Sequence, residues 1–394
     1  MTRPSLENLR IQDAHPLPSP AAVAAELPLD DAGAAFVARS RRAAEEIILG
    51  RDDRLLVVVG PCSVHDPAAA LDYAQLLRGA AGQHAAELCV VMRAYVEKPR
   101  TVLGWKGLTN DPILDGSCQI SIGLRFARQL MIDLAGLRLP VATEFLDTTL
   151  GQYYAELVTW GVIGARTVES QVHRALASGL SMPVGFKNRT DGDVQVAIDA
   201  LVSARQPHWF ASVTKEGTSA MLGTSGNDHG HLVLRGGTRG PNYSSDHVQA
   251  AIGMLRKAGL APHLMVDCSH GNSRREPERQ PAVAADVATQ VAAGERGICG
   301  VMLESNLVSG AQDSHDRPLV YGCSVTDPCL AWDKTLPVLA RLAAAVRERR
   351  LRANSPARPT PDSAGEEATP LPAACGPQAF RSQPTLAVSS APIV

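Results

Sequence analysis

Short apolar runs in this chain end abruptly on residues that can bind an anion or a metal. Residues 55–59 lead into Cys62, and residues 88–92 lead directly into Arg93. Apolar runs of this length, separated by helical stretches, are typical of buried parallel strands. In an α/β barrel the reactive side chains lie at the carboxyl ends of such strands. The sequence therefore predicts an α/β fold, a (β/α)8 TIM barrel with an anion-binding site at one end.

The strand-like runs number nine, one more than an eight-stranded barrel holds. They are residues 55–59, 88–92, 140–143, 162–165, 183–187, 209–213, 231–235, 263–268 and 298–303. We assign residues 209–213 to an inserted β-ribbon outside the barrel. Helical periodicity falls at residues 34–49, 67–77, 123–135, 170–178, 246–258, 282–293 and 336–350.

The sequence divides into three regions around this pattern. Residues 1–50 form an extension before the first strand, and residues 51–350 form the barrel. Residues 353–394 are rich in Pro, Ala, Ser and Thr and have no periodicity. Because such a segment buries too little apolar surface to offset its ordering entropy, we predict a disordered tail there.

Composition and charge exclude several classes of function. The formal net charge is -2, so no overall positive field indicates nucleic-acid binding. The eight cysteines include no Cys-x-x-Cys pair, which favours a reducing compartment over a disulfide framework. Residues 1–18 lack the features of a secretory signal, and no apolar run approaches the length of about 20 residues that spans a bilayer. We expect a soluble, cytoplasmic protein with no nucleic-acid or membrane partner.

Four possible metal ligands fall at the predicted strand ends. Cys62, His270, Glu304 and Asp327 combine a thiolate, an imidazole and two carboxylates. This mixture suits Mn, Fe, Co or Zn better than Mg. Taken singly, each residue is more often structural, as a small core residue, a buried histidine, a helix cap or a salt-bridge partner. Only their joint position at strand ends predicts a divalent metal site.

A second set of side chains at these positions is cationic. It comprises Arg93, Lys98, Arg100, Arg166, Lys187 and Arg235. An isolated basic residue is usually a solvated surface group, but burying an unpaired charge costs several kcal/mol. Arginine suits phosphate and carboxylate because its planar fork donates two parallel hydrogen bonds. Cations that directly follow apolar strands therefore predict a substrate with two or more anionic groups.

Eleven segments of the chain carry a family resemblance. They are residues 60–66 (GPCSVHD), 92–101 (MRAYVEKPRT), 104–108 (GWKGL), 142–147 (ATEFLD), 164–167 (GART), 183–188 (PVGFKN), 234–237 (LRGG), 241–243 (PNY), 267–270 (DCSH), 304–307 (ESNL) and 324–327 (SVTD). In order and spacing, roughly residues 8–350 resemble the type I, microbial, aromatic-feedback class of 3-deoxy-D-arabino-heptulosonate 7-phosphate (DAHP) synthases.

The resemblance implies a reaction and a set of site residues. Enzymes of this family condense phosphoenolpyruvate with erythrose 4-phosphate, which releases phosphate and begins the shikimate pathway. The family's metal ligands correspond to Cys62, His270, Glu304 and Asp327. Its phosphoenolpyruvate contacts correspond to Arg93, Lys98, Ala165, Arg166, Lys187 and Arg235, and its aldose phosphate site to Arg100 and Thr101. Glu144 corresponds to a residue close to the reacting centre, and Lys98 is our candidate proton donor.

The resemblance also implies regulation and assembly. We expect residues 1–50 to act as a regulatory and oligomerisation extension. Residues 178–181 are expected to belong to an effector pocket. The expected effector is an aromatic amino acid, with Phe or Tyr favoured. A homodimer or homotetramer is expected. Two alternatives are a synthase that uses another phosphorylated aldose, such as arabinose 5-phosphate, and a catalytically silent sensor of an aromatic amino acid. The sensor is disfavoured because each expected metal ligand is present.

Overall fold

The computed structural model describes residues 6–354, and eight of its strands form a closed parallel barrel. These are β1 (Leu55–Gly60), β2 (Leu88–Arg93), β3 (Val141–Glu144), β4 (Trp160–Ile163), β5 (Val184–Lys187), β8 (Gly230–Leu234), β9 (Leu264–Asp267) and β10 (Ile298–Asn306). The ring closes where β1 pairs in parallel with β10, with Val59 opposite Leu303. The predicted TIM barrel is confirmed.

Three further strands lie outside the ring. β6 (Trp209–Val213) and β7 (Ser219–Gly223) pair antiparallel as a separate ribbon, as the sequence predicted for residues 209–213. The sequence did not predict β7, because its alternation of small and apolar residues is short. β11 (Leu330–Ala331) adds a two-residue pairing to the end of β10.

Helices connect the strands and cover the barrel. Their bounds are α1 (Pro20–Glu26), α2 (Asp31–Ile48), α3 (Pro67–Gln83), α4 (Ile120–Gly136), α5 (Gln171–Gly179), α6 (Gln195–Ala204), α7 (Ser245–Lys257), α8 (Gln280–Ala292) and α9 (Trp332–Asn354). Asp66 caps α3 by accepting hydrogen bonds from the amides of Ala68 and Ala69. The sequence missed α1 and α6, and α9 extends beyond its predicted end at residue 350.

Each barrel strand is buried on both faces. In β1, Leu56 and Val58 belong to an inner cluster that also contains Trp160, whereas the alternate residues of β1 pack against the outer helices. This two-sided burial is why the strands are continuously apolar. Ile47 and Ile48 at the end of α2 join the inner cluster. The amino end of the barrel is therefore closed by α2, and the carboxyl end is left for a site.

Two sequence predictions concern the chain outside the barrel. The predicted tail, apart from its first two positions, lies outside the described residues. Within residues 6–354, no helix combines the length and the apolar character needed to cross a membrane. The seven cysteines of this part of the chain form no disulfide.

Candidate active site

A cavity opens at the carboxyl end of the barrel, where the sequence placed the site. Most of the predicted site residues line it, and they come from the carboxyl ends of seven barrel strands and the loops that follow them. The lining includes Arg93, Tyr95, Lys98, Glu144, Ala165, Arg166, Lys187, Arg235, His270, Arg275, Gln280, Glu304 and Asp327. Cys62 lies fully buried beside Lys98, whereas Arg100 and Thr101 lie on an exposed loop outside the cavity wall.

Three of the four proposed metal ligands form a compact donor cluster. One ligand atom from each of Cys62, Glu304 and Asp327 lies within 4.8 Å of the others. The Cys62 sulfur is 3.4 Å from the Asp327 Oδ2 atom. Asp327 was expected at the end of a strand, but it lies in the long loop that follows β10 and precedes β11. This donor set of a thiol and two carboxylates fits a borderline divalent ion.

The fourth proposed ligand, His270, lies at the edge of this cluster. Its Nε2 atom is 3.7 Å from Oε1 of Glu304. Its Nδ1 atom is 2.9 Å from Oδ2 of Asp267, a fully buried carboxylate, and 2.6 Å from the Ser269 hydroxyl. A partner on Nδ1 fixes the orientation of the ring, and a proton held there leaves Nε2 free to bind a metal.

Lys98 extends into the same cluster. Its ammonium is 2.7 Å from the Cys62 sulfur and 2.8 Å from Asp327 Oδ2. Burial opposes the positive charge of Lys98, but its anionic surroundings, Asp327 among them, raise its pKa above the ordinary value. Burial, and then the nearby Glu304 carboxylate, raise the pKa of the Cys62 thiol to about 12. The Lys98 ammonium lowers the pKa of the thiol and so opposes this rise only in part.

Arg93 and Lys187 are cations with buried acidic partners. The Arg93 guanidinium donates to Glu304 Oε1 at 3.1 Å and lies 3.8 Å from the centre of the Tyr95 ring. Lys187 donates to Asp267 Oδ2 at 2.8 Å, and both side chains are at most 5% exposed. The expectation that every cation requires the substrate for charge balance was too simple, because these two are already paired.

The remaining cations have no carboxylate partner among residues 6–354. The Arg166 guanidinium donates from Nε to the Thr101 hydroxyl at 3.0 Å. Arg235 is buried, and burial, opposed in part by Asp267, lowers its pKa together with the positive charges of Arg166 and Arg275. A group of cations this close together, without acidic partners, is an anion-binding surface.

Glu144 provides an unpaired acceptor in the cavity wall. It ends β3, is 7% exposed, and its Oε1 atom has no hydrogen-bond partner among the described residues. The carboxylate approaches Gly164 closely, since a Cβ atom built on Gly164 would lie 2.1 Å from Oε1. Gly164 therefore leaves space for Glu144 beside Arg166.

Sequence reasoning missed three residues that support the site. Asp267 binds both Lys187 and His270, although the sequence marked it only as the end of a strand. Gln280 exchanges two hydrogen bonds with the backbone of Glu304 and so fixes its position in β10. Arg275 adds a cation to the cavity wall. The segment 267–270 (DCSH), one of those that resemble the family, was the only sequence signal for Asp267. No local sequence pattern indicated Gln280 or Arg275.

A second cavity of about 690 Å³ lies between the ribbon and the segment that follows β3. Residues 178–181, which the resemblance placed in an effector pocket, line this cavity. Its wall also contains Thr148, Gly151, Gln152, Phe210 and Leu222. The Ser212 hydroxyl of the ribbon donates to the carbonyl oxygen of Thr148 at 3.0 Å, so the ribbon and this segment are directly connected.

The chain is similar in sequence to proteins of one family. A sequence model described as the DAHP synthetase I family matches residues 33–340. The Phe-sensitive phospho-2-dehydro-3-deoxyheptonate aldolase of Escherichia coli is 52% identical over 345 residues, which covers 87% of this chain and 98% of that one. The Trp-sensitive enzyme of the same name from Enterobacter agglomerans is 51% identical over 344 residues, covering 87% and 99%.

The fold is similar to that of a solved relative. The structure of phospho-2-dehydro-3-deoxyheptonate aldolase from Francisella tularensis SCHU S4 matches with a TM-score of 0.85 at 51% identity. The match covers 86% of this chain and 99% of that chain. The similarity therefore extends over most of the chain in both sequence and fold.

Proposed function

The chain belongs to the DAHP synthetase I family, and we propose that it condenses phosphoenolpyruvate with D-erythrose 4-phosphate to give DAHP and inorganic phosphate. One observation carries this proposal. A group of cations without acidic partners and a cluster of thiol and carboxylate donors meet in a single cavity at the barrel mouth. Phosphoenolpyruvate bears both a phosphate and a carboxylate, and it would neutralise these cations.

The cations that line the cavity are proposed to bind phosphoenolpyruvate. Arg166 and Arg235, which have no carboxylate partner among residues 6–354, would bind its phosphate. Arg93 and Lys187 are fixed by Glu304 and Asp267 at the bottom of the cavity. Rigid strand ends hold these groups before the substrate arrives. Such preorganisation lowers the entropic cost of bringing two anions together.

The erythrose 4-phosphate site is proposed at the exposed loop that carries Arg100 and Thr101. Arg166 is hydrogen-bonded to Thr101, so this loop lies beside the proposed phosphoenolpyruvate site. C3 of phosphoenolpyruvate would attack the aldehyde carbon while water adds at C2, and the hemiketal phosphate formed would lose phosphate. The unpaired oxygen of Glu144 would accept a hydrogen bond from that water.

Proton transfer is proposed for Lys98. Its ammonium lies within 2.8 Å of the Cys62 sulfur and the Asp327 carboxylate. Burial opposes its charge, but these two groups raise its pKa. It would donate a proton to the alkoxide that forms as the carbon–carbon bond closes. Cys62, His270, Glu304 and Asp327 would hold a divalent ion such as Mn, Fe, Co or Zn, which when bound supplies Lewis-acid polarisation of the aldehyde oxygen.

Feedback inhibition by an aromatic amino acid is proposed at the second cavity. The cavity combines an apolar wall, including Phe210 and Leu222, with polar groups such as Ser181 and Gln152. That mixture suits a small ligand with one ring and charged termini. Phe and Tyr remain the favoured effectors, although Phe-sensitive and Trp-sensitive relatives are equally similar to this chain. Residues 1–50 are proposed to contribute to regulation and to a homodimer or homotetramer.

A substrate-consumption assay tests the reaction. Purified protein supplied with Mn²⁺, phosphoenolpyruvate and erythrose 4-phosphate should consume phosphoenolpyruvate and release phosphate, and a chelator should stop the reaction. Parallel reactions with arabinose 5-phosphate test the choice of sugar. No consumption with erythrose 4-phosphate, or equal rates with both sugars, would contradict the proposal.

A further inference from the structure

Glu97 is a buried acid with no role in the chemistry proposed above. It immediately precedes Lys98 and is 1% exposed. Its Oε2 atom accepts a hydrogen bond from the Asp147 amide at 2.7 Å, and its Oε1 atom pairs with the hydroxyl of Tyr154. Within residues 6–354 no cation contacts the carboxyl group, and these two hydrogen bonds are its polar contacts.

Tyr154 connects this carboxyl group to the wall of the second cavity. Its side chain is fully buried, and its ring stacks on Phe145 with the centroids 6.2 Å apart. Tyr154 lies between two short 3-10 helices, Leu150–Tyr153 and Ala155–Leu157. Residues of both helices line the second cavity. A ligand that moves this segment would therefore move the hydroxyl that holds Glu97.

On its other side, Glu97 is joined directly to the catalytic lysine. The Lys98 amide donates to the carbonyl oxygen of Lys106 at 2.9 Å, and its ammonium contacts Cys62 and Asp327. A displacement of Glu97 would pass to the Lys98 backbone. Displacements near 1 Å at a reacting group can reduce turnover by as much as about 100-fold.

We propose that Glu97 is a positioning residue, and that its contact with Tyr154 transmits binding of an aromatic amino acid in the second cavity to Lys98. The positioning role concerns only the catalytic cavity, whereas transmission rests on the proposed feedback function. Physically, the ligand would favour an arrangement of residues 147–154 in which Glu97 loses one or both contacts. A ligand shifts such an equilibrium only by its difference in affinity for the two arrangements.

Substitutions at Glu97 test the positioning role. Glu97→Gln retains an acceptor for the Asp147 amide and a donor for the Tyr154 oxygen, so near wild-type kcat is expected. Glu97→Ala removes both contacts and should lower kcat between about 10- and 100-fold, with a smaller change in KM for phosphoenolpyruvate. Equal losses in both variants, or none in Glu97→Ala when its thermal unfolding is unchanged, would overturn the role.

Tyr154→Phe tests transmission, since it keeps the ring on Phe145 and removes only the hydroxyl. Inhibition by Phe, Tyr and Trp is measured by rate, and binding of each to the full chain by calorimetry. We expect binding within about twofold of wild type but inhibition weakened at least about fivefold, the lower end of common allosteric couplings. Tyr321→Phe is the matched control, because it removes a tyrosine–carboxylate hydrogen bond, to Asp72, on the protein surface.

The outcomes separate the two ideas. Unchanged binding and unchanged inhibition in Tyr154→Phe would overturn transmission while leaving feedback intact. If none of the three amino acids binds or inhibits the wild-type protein, feedback fails and transmission fails with it. The Glu97 variants would still decide the positioning role in that case.

Discussion

The two cavities of this protein are built from different kinds of structure. The catalytic cavity is formed largely by side chains at strand ends, such as Glu304 within β10 and Lys187 at the end of β5. The second cavity is formed by two 3-10 helices, the β6–β7 ribbon and the turn after α5. In the second cavity, side chains often donate hydrogen bonds to backbone carbonyl oxygens. Examples are the hydrogen bonds from Ser212 and Lys215 to carbonyl oxygens of the segment after β3.

This difference suggests that the catalytic cavity holds charged groups in fixed positions, whereas the second cavity can change shape when a ligand binds. Strands paired on both sides hold charged groups with little freedom, as the proposed chemistry between two anionic substrates requires. Short helices and loops open more easily than a central sheet, and regions that respond to ligands are drawn from such elements. If this contrast holds, rigidity and charge burial are concentrated at the catalytic cavity.

The largest effect is expected from Cys62→Ala. Loss of the thiol removes a proposed metal ligand, so turnover should fall by well over about 100-fold, beyond the losses typical of outer partners of metal sites. Metal content, measured by elemental analysis after dialysis, should fall in parallel. Cys118→Ala removes an exposed cysteine and serves as the control. Full metal content in Cys62→Ala would contradict the ligand assignment.

Asp267→Asn should be strongly destabilising. It removes the negative charge from a pair with Lys187 in which both side chains are at most 5% exposed. Breaking a buried pair leaves an uncompensated charge, which costs about 3–5 kcal/mol. Urea unfolding of the metal-free protein measures the change in the free energy of unfolding. A decrease in the free energy of unfolding below about 1 kcal/mol is typical of exposed salt bridges. Such a result would show that this end of the barrel is well hydrated.

Glu97 should make stability depend on pH. Burial without a cation raises its pKa from an ordinary 4.5 to about 8, a shift opposed by the hydrogen bonds from Tyr154 and the Asp147 amide and reinforced by the carboxylates of Asp147 and Glu144. The folded protein then binds this proton more tightly than the unfolded chain. Its contribution to the free energy of unfolding is therefore full below pH 4.5 and is lost as the pH rises to about 8.

The comparison of wild type with Glu97→Gln isolates this contribution. Between pH 5 and pH 8 the wild type should lose on the order of a few kcal/mol more than the variant, which has no proton to release. Urea unfolding at several pH values provides the measurement. Parallel pH profiles for the two proteins would show that the Glu97 carboxyl group titrates normally.

The smallest effect is expected beside the second cavity. Arg205 and Asp228 form a pair at 3.2 Å with side chains 40% and 75% exposed. Because water screens such pairs, Asp228→Asn should change the free energy of unfolding by less than about 1 kcal/mol. The same urea assay applies. A loss as large as that of Asp267→Asn would remove the contrast between the two regions.

The barrel was readable from sequence because its strands are buried on both faces. Residues 55–59 and 298–303 form continuous apolar runs, and each ends beside a reactive side chain. The ribbon was only half predicted, since residues 219–223 alternate between exposed and partly buried positions. Helix α6 was missed although it carries a buried apolar face. Its N-cap, Val194, makes no side-chain hydrogen bond, although Asp193 just before it accepts one from the Gln195 amide.

The sequence predicted which residues line the site, but not which side chains contact each other there. Pairs such as Lys187 with Asp267, and Tyr154 with Glu97, join residues far apart in sequence. Local patterns carry no information about such contacts, which depend on the order of strands around the ring. Asp327 was placed at a strand end for the same reason. The loop that carries it reaches the cavity only because it follows the last barrel strand.

Closure of the ring between β1 and β10 has a consequence for biosynthesis. Cys62 leaves the ribosome early, whereas Glu304 and Asp327 emerge only with the last quarter of the barrel. A nascent chain without β10 would expose the unpaired edge of β1, a template for association with other chains. Pairing between such distant segments is also slow to form. The proposed metal site is therefore complete only after the loop that follows β10 has been synthesised. Shielding of the early strands until then would protect the yield of active protein.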